Sequence, residues 1–135
     1  MTSPSALAVA FITVALLACA KEIPEPGGEV IDYQSPKNLV SHIFWAARTG
    51  NTGKLATLCL PDEAGNEAVR RVCGVVRGHG EWSSFQSNFA KGKLNGEPRV
   101  SGDTAVLKFL FGPDGAMPET MKLVRRDGRW YLESF

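Results

Sequence analysis

The stretch MKLVRRDGRWYLESF, residues 121–135, places Asp127-Gly128 between two runs of alternating apolar and polar residues. Both turn residues tolerate a positive φ, so this pattern is the strongest short-range signal of a two-residue β-hairpin. A two-residue turn fixes the pairing, and counting outward sets Lys122 opposite Glu133. One face of the hairpin then collects four apolar side chains: Met121, Leu123, Trp130 and Leu132.

A second hairpin is predicted at Gly102-Asp103, between two further alternating stretches. The same counting pairs the flanking residues: Val100 with Ala105, Pro98 with Leu107, and Glu97 with Lys108. Pro98 has no N–H to donate to a ladder, which suits a strand at the edge of a sheet. Residues 112–115, GPDG, form a looser turn that leaves the register between the two hairpins open.

Residues 93–135 are therefore predicted to form a four-stranded antiparallel meander. One face of this sheet is apolar in the predicted register, and its members are Val100, Ala105, Leu107, Phe109, Met121, Leu123, Trp130 and Leu132. Charged residues such as Lys108 and Lys122 fall on the other face, where cross-strand ion pairs are ordinary solvated structure.

Four short helices are predicted ahead of the sheet. Ser35-Pro36 is a typical helix start, because the serine hydroxyl caps the first turn and proline has no N–H to leave unpaired. Gly50 ends this first helix, whose apolar stripe is Leu39, Val40, Ile43, Phe44 and Ala47. The other three are marked by Leu55, Leu58 and Cys59, by Val69, Val72, Cys73 and Val76, and by Trp82, Phe85 and Phe89. The fold class that follows is α+β, with N-terminal helices packed on the meander.

The N-terminus has the pattern of an export signal. Residues 6–18 form an apolar run of about 13 residues, short of the roughly 20 that cross a bilayer but suited to a signal-peptide core. The run ends in LLAC, which resembles the lipobox of bacterial lipoproteins, where Cys19 is lipidated and becomes the new N-terminus. No Lys or Arg precedes Lys21, and residues 18–20 also fit ordinary secretory cleavage. Simple secretion and an uncleaved anchor therefore stay open as alternatives.

Three segments are predicted along the chain. A lipoprotein signal peptide occupies residues 1–18, a flexible tether 19–34, and one domain 35–135, where about 100 residues suffice for a single core. The tether carries Pro24, Pro26 and two glycines among charges, with little to bury. With 15 basic and 14 acidic residues the charge balance is near neutral, so no nucleic-acid partner is expected.

Cys59 and Cys73 remain as a pair if Cys19 carries lipid in an oxidising compartment. In one continuous helix they would lie about 21 Å apart, whereas a disulfide needs Cα atoms within about 7 Å. Pro61 and Gly65 break the helix between them, so a disulfide that staples two helices is predicted. Two buried, unpaired thiols are the alternative. A redox or metal-binding role for these cysteines is not predicted, because the sequence has no CxxC motif and no histidine pair near them.

The stretches SPKNLVSHIFWAARTGNTGKLATLC at residues 35–59, GDTAVLKFLF at 102–111 and MKLVRRDGRWYLESF at 121–135 resemble a family. It comprises small bacterial lipoproteins of unknown function with a nuclear-transport-factor-2-like, or cystatin-like, domain. The resemblance covers nearly all of the mature chain. It implies a cone in which a curved antiparallel sheet wraps a long helix and often leaves a pocket at the open end.

A pocket inside such a cone would have an apolar and aromatic lining, predicted to comprise Phe44, Trp82, Phe85, Leu107, Phe109, Met121 and Trp130. A lining of this kind suits a hydrophobic small molecule. Enzymes of the wider superfamily look as if they place Asp, Tyr or His on the inner face of the sheet. None of the inner-face residues predicted here can move a proton, so no catalytic residue, metal ligand or cofactor site is predicted.

The remaining polar residues are weak candidates for a site. His42 is predicted at the boundary of the first helix's apolar stripe, and His79, between two glycines, in a loop. Two groups of arginines are predicted as a basic strip on the third helix and a cluster at the hairpin tip, with Arg125 over Trp130. Their members are Arg70, Arg71 and Arg77, and Arg125, Arg126 and Arg129.

The function predicted from the sequence is a lipid-anchored protein of the bacterial cell envelope that faces the periplasm. It acts as a non-catalytic binding module for an envelope protein or an apolar small ligand. The alternative, based on superfamily analogy, is a small-molecule isomerase- or dehydratase-like enzyme that uses the apolar pocket.

Overall fold

The computed structural model describes residues 27–62 and 64–135. Over these residues the chain is α+β, with three α-helices, one 3-10 helix and a five-stranded antiparallel sheet. The helices are α1 (Pro36–Thr49), the 3-10 helix (Leu55–Leu58), α2 (Glu67–Cys73) and α3 (Trp82–Phe89). The strands are β1 (Lys93–Leu94), β2 (Arg99–Ser101), β3 (Thr104–Phe111), β4 (Met117–Arg126) and β5 (Arg129–Ser134). The predicted signal peptide and Cys19 lie outside the described residues.

Helix α1 has the start and the end that its sequence predicts. The Ser35 Oγ accepts a hydrogen bond from the Asn38 N–H at 3.2 Å, and Pro36 occupies the first helical position. Gly50 ends the helix in the left-handed region at φ 79°, and its N–H donates to the Ala46 carbonyl at 2.9 Å. The buried side of α1 contacts α3, β1, β3 and β5, so this helix spans the sheet and holds the core together.

Helix α2 is shorter than predicted. It ends at Cys73, with Gly74 as the C-cap, and the next N–H, that of Val75, donates to the Val72 carbonyl three residues back at 3.3 Å instead of continuing the four-residue pattern. Val76 therefore lies beyond the helix and is 55 % exposed, rather than contributing to its buried face.

The sheet has the order β1-β3-β4-β5, with β2 also paired to β3. The single first strand of the predicted four-stranded meander is split in two, because β1 and β2 pair with β3 in registers that differ by two residues. Val100 lies opposite Ala105 as predicted. The predicted pairing of Glu97 with Lys108 is wrong, because the backbone carbonyl of Lys108 accepts a hydrogen bond from the N–H of Asn95 at 2.8 Å. Glu97 instead forms an ion pair with Lys37 at 3.1 Å.

The final hairpin has the predicted turn, with Asp127 at φ 53° and Gly128 at φ 76°. Its pairs are confirmed from Arg126↔Arg129 as far as Leu123↔Leu132. A β-bulge then sets Lys122 opposite Ser134. Glu133, the extra residue, turns its carbonyl to the Asn66 N–H at 2.8 Å, while its carboxylate stays 3.6 Å from Lys122 Nζ.

The apolar face of the sheet forms the core with the helices. Its buried members are Ala105, Leu107, Phe109, Met121, Leu123, Trp130 and Leu132. Phe109 is fully buried, and its ring centroid lies 6.0 Å from that of Phe44 and 6.4 Å from that of Phe89. The prediction that Val100 is part of this buried face is wrong, since it is 55 % exposed on the short edge strand β2.

Cys59 and Cys73 form a disulfide, as predicted, with their Cα atoms 6.1 Å apart. Cys59 follows the 3-10 helix and also makes a parallel bridge with Leu132 of β5. The disulfide therefore ties the end of α2 to the edge of the sheet.

Candidate functional site

Six of the seven residues predicted to line an internal pocket are buried in the hydrophobic core. They are Phe44, Phe85, Leu107, Phe109, Met121 and Trp130. The seventh, Trp82, is partly buried and lies with its ring centroid 6.0 Å from that of Phe85. These side chains pack on one another between α1, α3 and the sheet. Phe85 in addition borders an open groove. Trp82 and Trp130 thus contribute to packing.

The open groove lies between α2 and α3, and we call it the α2–α3 groove. Its volume is about 200 Å³. Apolar side chains form its floor: Val72, Val75, Phe85, Phe89, Phe111 and Phe135. Its rim consists of small or polar residues, namely Ala68, Arg71, Glu81, Ser84 and Asn88. An apolar floor inside a polar rim is the usual arrangement of a binding site.

Helix α3 supplies both floor and rim because of its sequence, WSSFQSNF. Phe85 and Phe89 are four residues apart and lie on one face, as do Ser84 and Asn88 on the adjacent face. The helix therefore turns phenylalanines inward and polar residues outward along the length of the groove. This site was not predicted from the sequence, although these two interleaved i, i+4 pairs were the signal that could have indicated it.

A second depression of about 310 Å³ continues from the α2–α3 groove and shares Arg71, Val75 and Glu81 with it. Val76 and His79 also line this depression, and the His79 N–H donates to the Val76 carbonyl at 3.1 Å. His79 is exposed in a turn, as predicted.

The predicted basic strip on α2 is not continuous. Arg71 lies at the groove rim and is bonded to Glu67 at 2.6 Å, while Arg70 borders a separate hollow beside the disulfide. Arg77 lies beyond the end of α2, with its side chain over Gly50. Exposed ion pairs such as Arg71–Glu67 contribute little to stability, so Arg71 is available to a ligand at modest cost.

The arginines of the hairpin tip each contact another part of the chain. Arg125 lies over Trp130 at 5.1 Å from the ring centroid, as predicted, and Nε donates to Asp103 at 3.1 Å. Arg126 donates to Asp62 at 3.0 Å, and this hydrogen bond lowers the pKa of the exposed Asp62 carboxyl.

Arg129, the third arginine of the tip, lies between two tyrosines. Its guanidinium carbon is 3.8 Å from the ring centroid of Tyr33 and 5.0 Å from that of Tyr131. Nη2 also donates to the Thr57 carbonyl at 2.6 Å. The cluster thus connects the hairpin to residues 33, 57 and 62.

His42 is fully buried, so the prediction that it lies at the boundary of the apolar stripe is wrong. Its Nδ1 lies 3.0 Å from the Gly27 carbonyl oxygen and 2.9 Å from that of Gly28. Both oxygens are acceptors, so Nδ1 carries the proton in the neutral ring. Nε2 has no hydrogen-bond partner among the described residues.

Burial lowers the pKa of His42, because the charged ring would lose its hydration. Hydrogen bonds to the Gly28 and Gly27 carbonyls oppose this effect, and the positive charge of Lys54 adds to it. The neutral imidazole is therefore the form that the fold favours at neutral pH.

Residues 27–34, which the sequence analysis assigned to the tether, pack against the domain, and we call them the strap. Ile31 and Tyr33 are partly buried against the core. Gly27 lies so close to α1 that an added Cβ would come within 2.5 Å of the Asn38 carbonyl oxygen. The folded unit therefore extends at least eight residues before Ser35, because hydrogen bonds and apolar contacts hold this segment.

In the part of the chain that the structure describes, residues 27–62 and 64–135, no three His, Cys, Asp or Glu side chains are grouped so that they could hold a metal ion. None of the helices in these residues combines the length and the apolar character required to cross a bilayer. Comparison with known protein families, with curated proteins and with solved structures finds no match for this chain.

Proposed function

We propose that this protein is a non-catalytic binding module of the bacterial cell envelope whose α2–α3 groove takes up an apolar side chain of a partner protein. The observation that carries this proposal is the apolar floor of the groove, built from valines and phenylalanines and open to solvent. Such pockets hold the anchor residues that dominate the energetics of protein–protein interfaces.

The size of the groove favours a side chain over a complete small ligand. Sites for drug-sized molecules usually measure about 300–1,000 Å³, and the α2–α3 groove is smaller at about 200 Å³. One aromatic or large aliphatic side chain fits a space of this size. The polar rim, including Ser84 and Asn88, offers hydrogen-bonding groups to the partner's backbone.

The isomerase- or dehydratase-like alternative requires a proton-transferring group within an apolar pocket. The ionisable side chains at this groove, Arg71 and Glu81, are exposed at its rim. His42, which is buried, is held on two backbone carbonyls beneath the strap. The geometry therefore supports binding better than it supports proton transfer.

We base the location on the N-terminal sequence. The apolar run of residues 6–18 followed by LLAC supports export and lipidation at Cys19, with the domain facing the periplasm. The packing of α1 across one face of the antiparallel sheet supports the more specific fold, a nuclear-transport-factor-2-like cone. Incorporation of labelled palmitate into the wild-type chain, and its loss in Cys19→Ser, tests the anchor.

Filling the groove is expected to weaken its binding of apolar side chains. We expect N-acetyl-phenylalanine amide, titrated into the ¹⁵N-labelled chain, to shift the amide resonances of Val75, Ser84 and Asn88. Ser84→Trp places an indole over the floor and is expected to weaken this binding by at least about tenfold, or about 1.4 kcal/mol. The dissociation constant from the NMR titration measures the effect.

Ser83→Trp is the matched control for this substitution. Ser83 is the preceding residue on α3 and is exposed, so this variant adds the same side chain outside the groove and should bind like the wild type. Equal weakening by both variants would contradict the proposal. If octanoate shifts the amide resonances of the groove and the phenylalanine derivative does not, the occupant of the groove is a lipid chain and not a partner's side chain.

A further inference from the structure

Two anchors of different chemistry hold the ends of the strap. Between them the Glu29 carbonyl accepts from Lys54 Nζ at 2.7 Å and the Asp32 N–H donates to Asn38 Oδ1 at 2.7 Å. At the front of the strap, the Gly27 and Gly28 carbonyls accept from Nδ1 of the buried His42. At its back, the Tyr33 carbonyl accepts from the Trp130 N–H at 2.9 Å, and the Tyr33 ring lies against Arg129. The front anchor therefore includes an ionisable imidazole ring.

The surroundings of His42 suit the neutral ring and disfavour the imidazolium. A second proton would sit on Nε2, which is buried and has no acceptor within residues 27–62 and 64–135. The positive charge of Lys54 acts on His42, and Lys54 Nζ donates to the Glu29 carbonyl at 2.7 Å. The strap's own carboxylates, Glu29 and Asp32, are exposed. Trp45 covers His42, with the two ring centroids 5.2 Å apart.

We propose that His42 is a pH-sensitive latch, and that proton uptake at Nε2 releases the front of the strap from α1. Moving residues 27–32 away exposes the ring, so the imidazolium and its new N–H gain water. Tyr33 stays bound at the back anchor and acts as the pivot. The latch is thus a local opening of one segment and leaves the core packed.

Opening would add six residues to the tether, which span at most about 20 Å when extended. If the anchor that we propose at Cys19 is present, acidification lets the domain reach further from the membrane. This consequence rests on the proposed lipid anchor. The latch itself does not, because its contacts lie within the described residues.

The direction of the pH effect follows from linkage. Burial lowers the His42 pKa in the closed state, whereas the exposed ring of the open state titrates near the ordinary value of about 6.5. The open state therefore binds more protons between the two pKa values. The opening equilibrium constant rises as the pH falls below about 6.5, by at most about tenfold per pH unit, and levels off below the closed-state pKa.

Amide hydrogen exchange of the full chain tests the latch, with one reporter for each anchor. The Asp32 N–H donates to Asn38 Oδ1 at 2.7 Å and reports on the front of the strap. The Trp130 N–H reports on the back. Between pH 7.0 and pH 5.5, after correction for intrinsic exchange, we expect protection of Asp32 to fall, by at most about eightfold, and that of Trp130 to stay constant.

Two substitutions separate the proton from the hydrogen bond. His42→Asn keeps an amide donor near the position of Nδ1 but takes up no proton, so protection of Asp32 should not depend on pH. His42→Leu removes the donor and should leave Asp32 weakly protected at both pH values. In His79→Gln, the ring resonances of His42, then the only histidine, should titrate in step with Asp32 exchange.

Three results would each overturn the latch. The first is unchanged protection of Asp32 in the wild type over this pH range. The second is an equal loss at Asp32 and Trp130, which would indicate global unfolding. The third is the same pH dependence in His42→Asn as in the wild type. The comparison of the two amides in the wild type decides the matter even if a His42 variant fails to fold.

Discussion

Phe109→Ala is expected to lower the free energy of unfolding by about 3–5 kcal/mol. Phe109 is fully buried on β3, and its ring contacts those of Phe44, Phe89, Phe111 and Phe135. Removing the ring leaves a cavity whose walls come from α1, α3, β3 and the C-terminus. Those elements also position the floor of the α2–α3 groove, so we expect weaker binding there as well. Urea unfolding followed by circular dichroism measures the loss.

Val100→Ala is the matched control for Phe109→Ala. Both positions are on the predicted inner face of the sheet, but Val100 is 55 % exposed on β2. Its truncation should change stability by no more than about 0.5 kcal/mol. A loss at Val100 comparable to that at Phe109 would mean that the edge strand is covered in solution. A loss below about 1 kcal/mol at Phe109 would contradict its central place in the core.

Reduction of the Cys59–Cys73 disulfide is expected to lower the free energy of unfolding by about 3 kcal/mol. The two cysteines are 14 residues apart, and the chain-entropy model gives a stabilisation of this size for such a loop. A domain of this size has about 5–15 kcal/mol in total. The loss should be concentrated at α2, because Cys73 is the last residue of that helix. Urea unfolding with and without dithiothreitol measures it.

The double substitution Cys59→Ser and Cys73→Ser provides the comparison without reductant. It should unfold at the same urea concentration as the reduced wild type and should not respond to dithiothreitol. Val72 precedes Cys73 and is part of the groove floor, so the double variant should also bind N-acetyl-phenylalanine amide more weakly. A stability within about 0.5 kcal/mol of the oxidised wild type would refute the role of the disulfide as a staple.

The latch and the groove are in different parts of the domain. The latch joins the strap to α1 through His42, whereas the groove is formed by α2, α3, Phe111 and Phe135. Binding at the groove and opening of the strap should therefore be separable by substitution. Ser84→Trp should leave the pH dependence of Asp32 exchange unchanged, and His42→Asn should leave groove affinity unchanged.

The positions of the turns and helix ends were largely predictable from the sequence, because they depend on the chemistry of residues close together in the chain. Asp127-Gly128 set the final hairpin, and Ser35 and Gly50 set the two ends of α1. The errors in the sheet arose where a distant contact changed the local register. The carbonyl of Glu133 pairs with the Asn66 N–H instead of continuing the ladder, and Glu97 pairs with Lys37.

The candidate site was much less predictable. Alternation along the strands identified Phe109, Met121 and Trp130 as inward-facing, but alternation does not reveal whether the space they face is empty or filled. The groove depends on how far α2 and α3 lie apart, and this separation is set by the disulfide and by the packing of both helices on the sheet.

His42 shows the same limit within a single helix. Its position in α1 placed it beside the apolar stripe, and helical spacing alone gave no reason to bury it. The strap covers the ring and supplies both carbonyl acceptors, one of them from Gly27, fifteen residues before His42. The predicted tether, residues 19–34, carries two prolines and two glycines among charges, so the docking of its last eight residues could not be inferred from that composition.

The sequence by itself determined the α+β class, the final hairpin, the ends of α1 and the pairing of Cys59 with Cys73. The hairpin and the helix ends depend on residues that are close together in the chain. The disulfide depends on the distance that helix geometry allows between the two cysteines. Only the tertiary structure decided that the predicted pocket lining is core, that a groove opens between α2 and α3, and that His42 holds the strap. These features depend on which distant surfaces meet, and that is settled by packing of the whole chain.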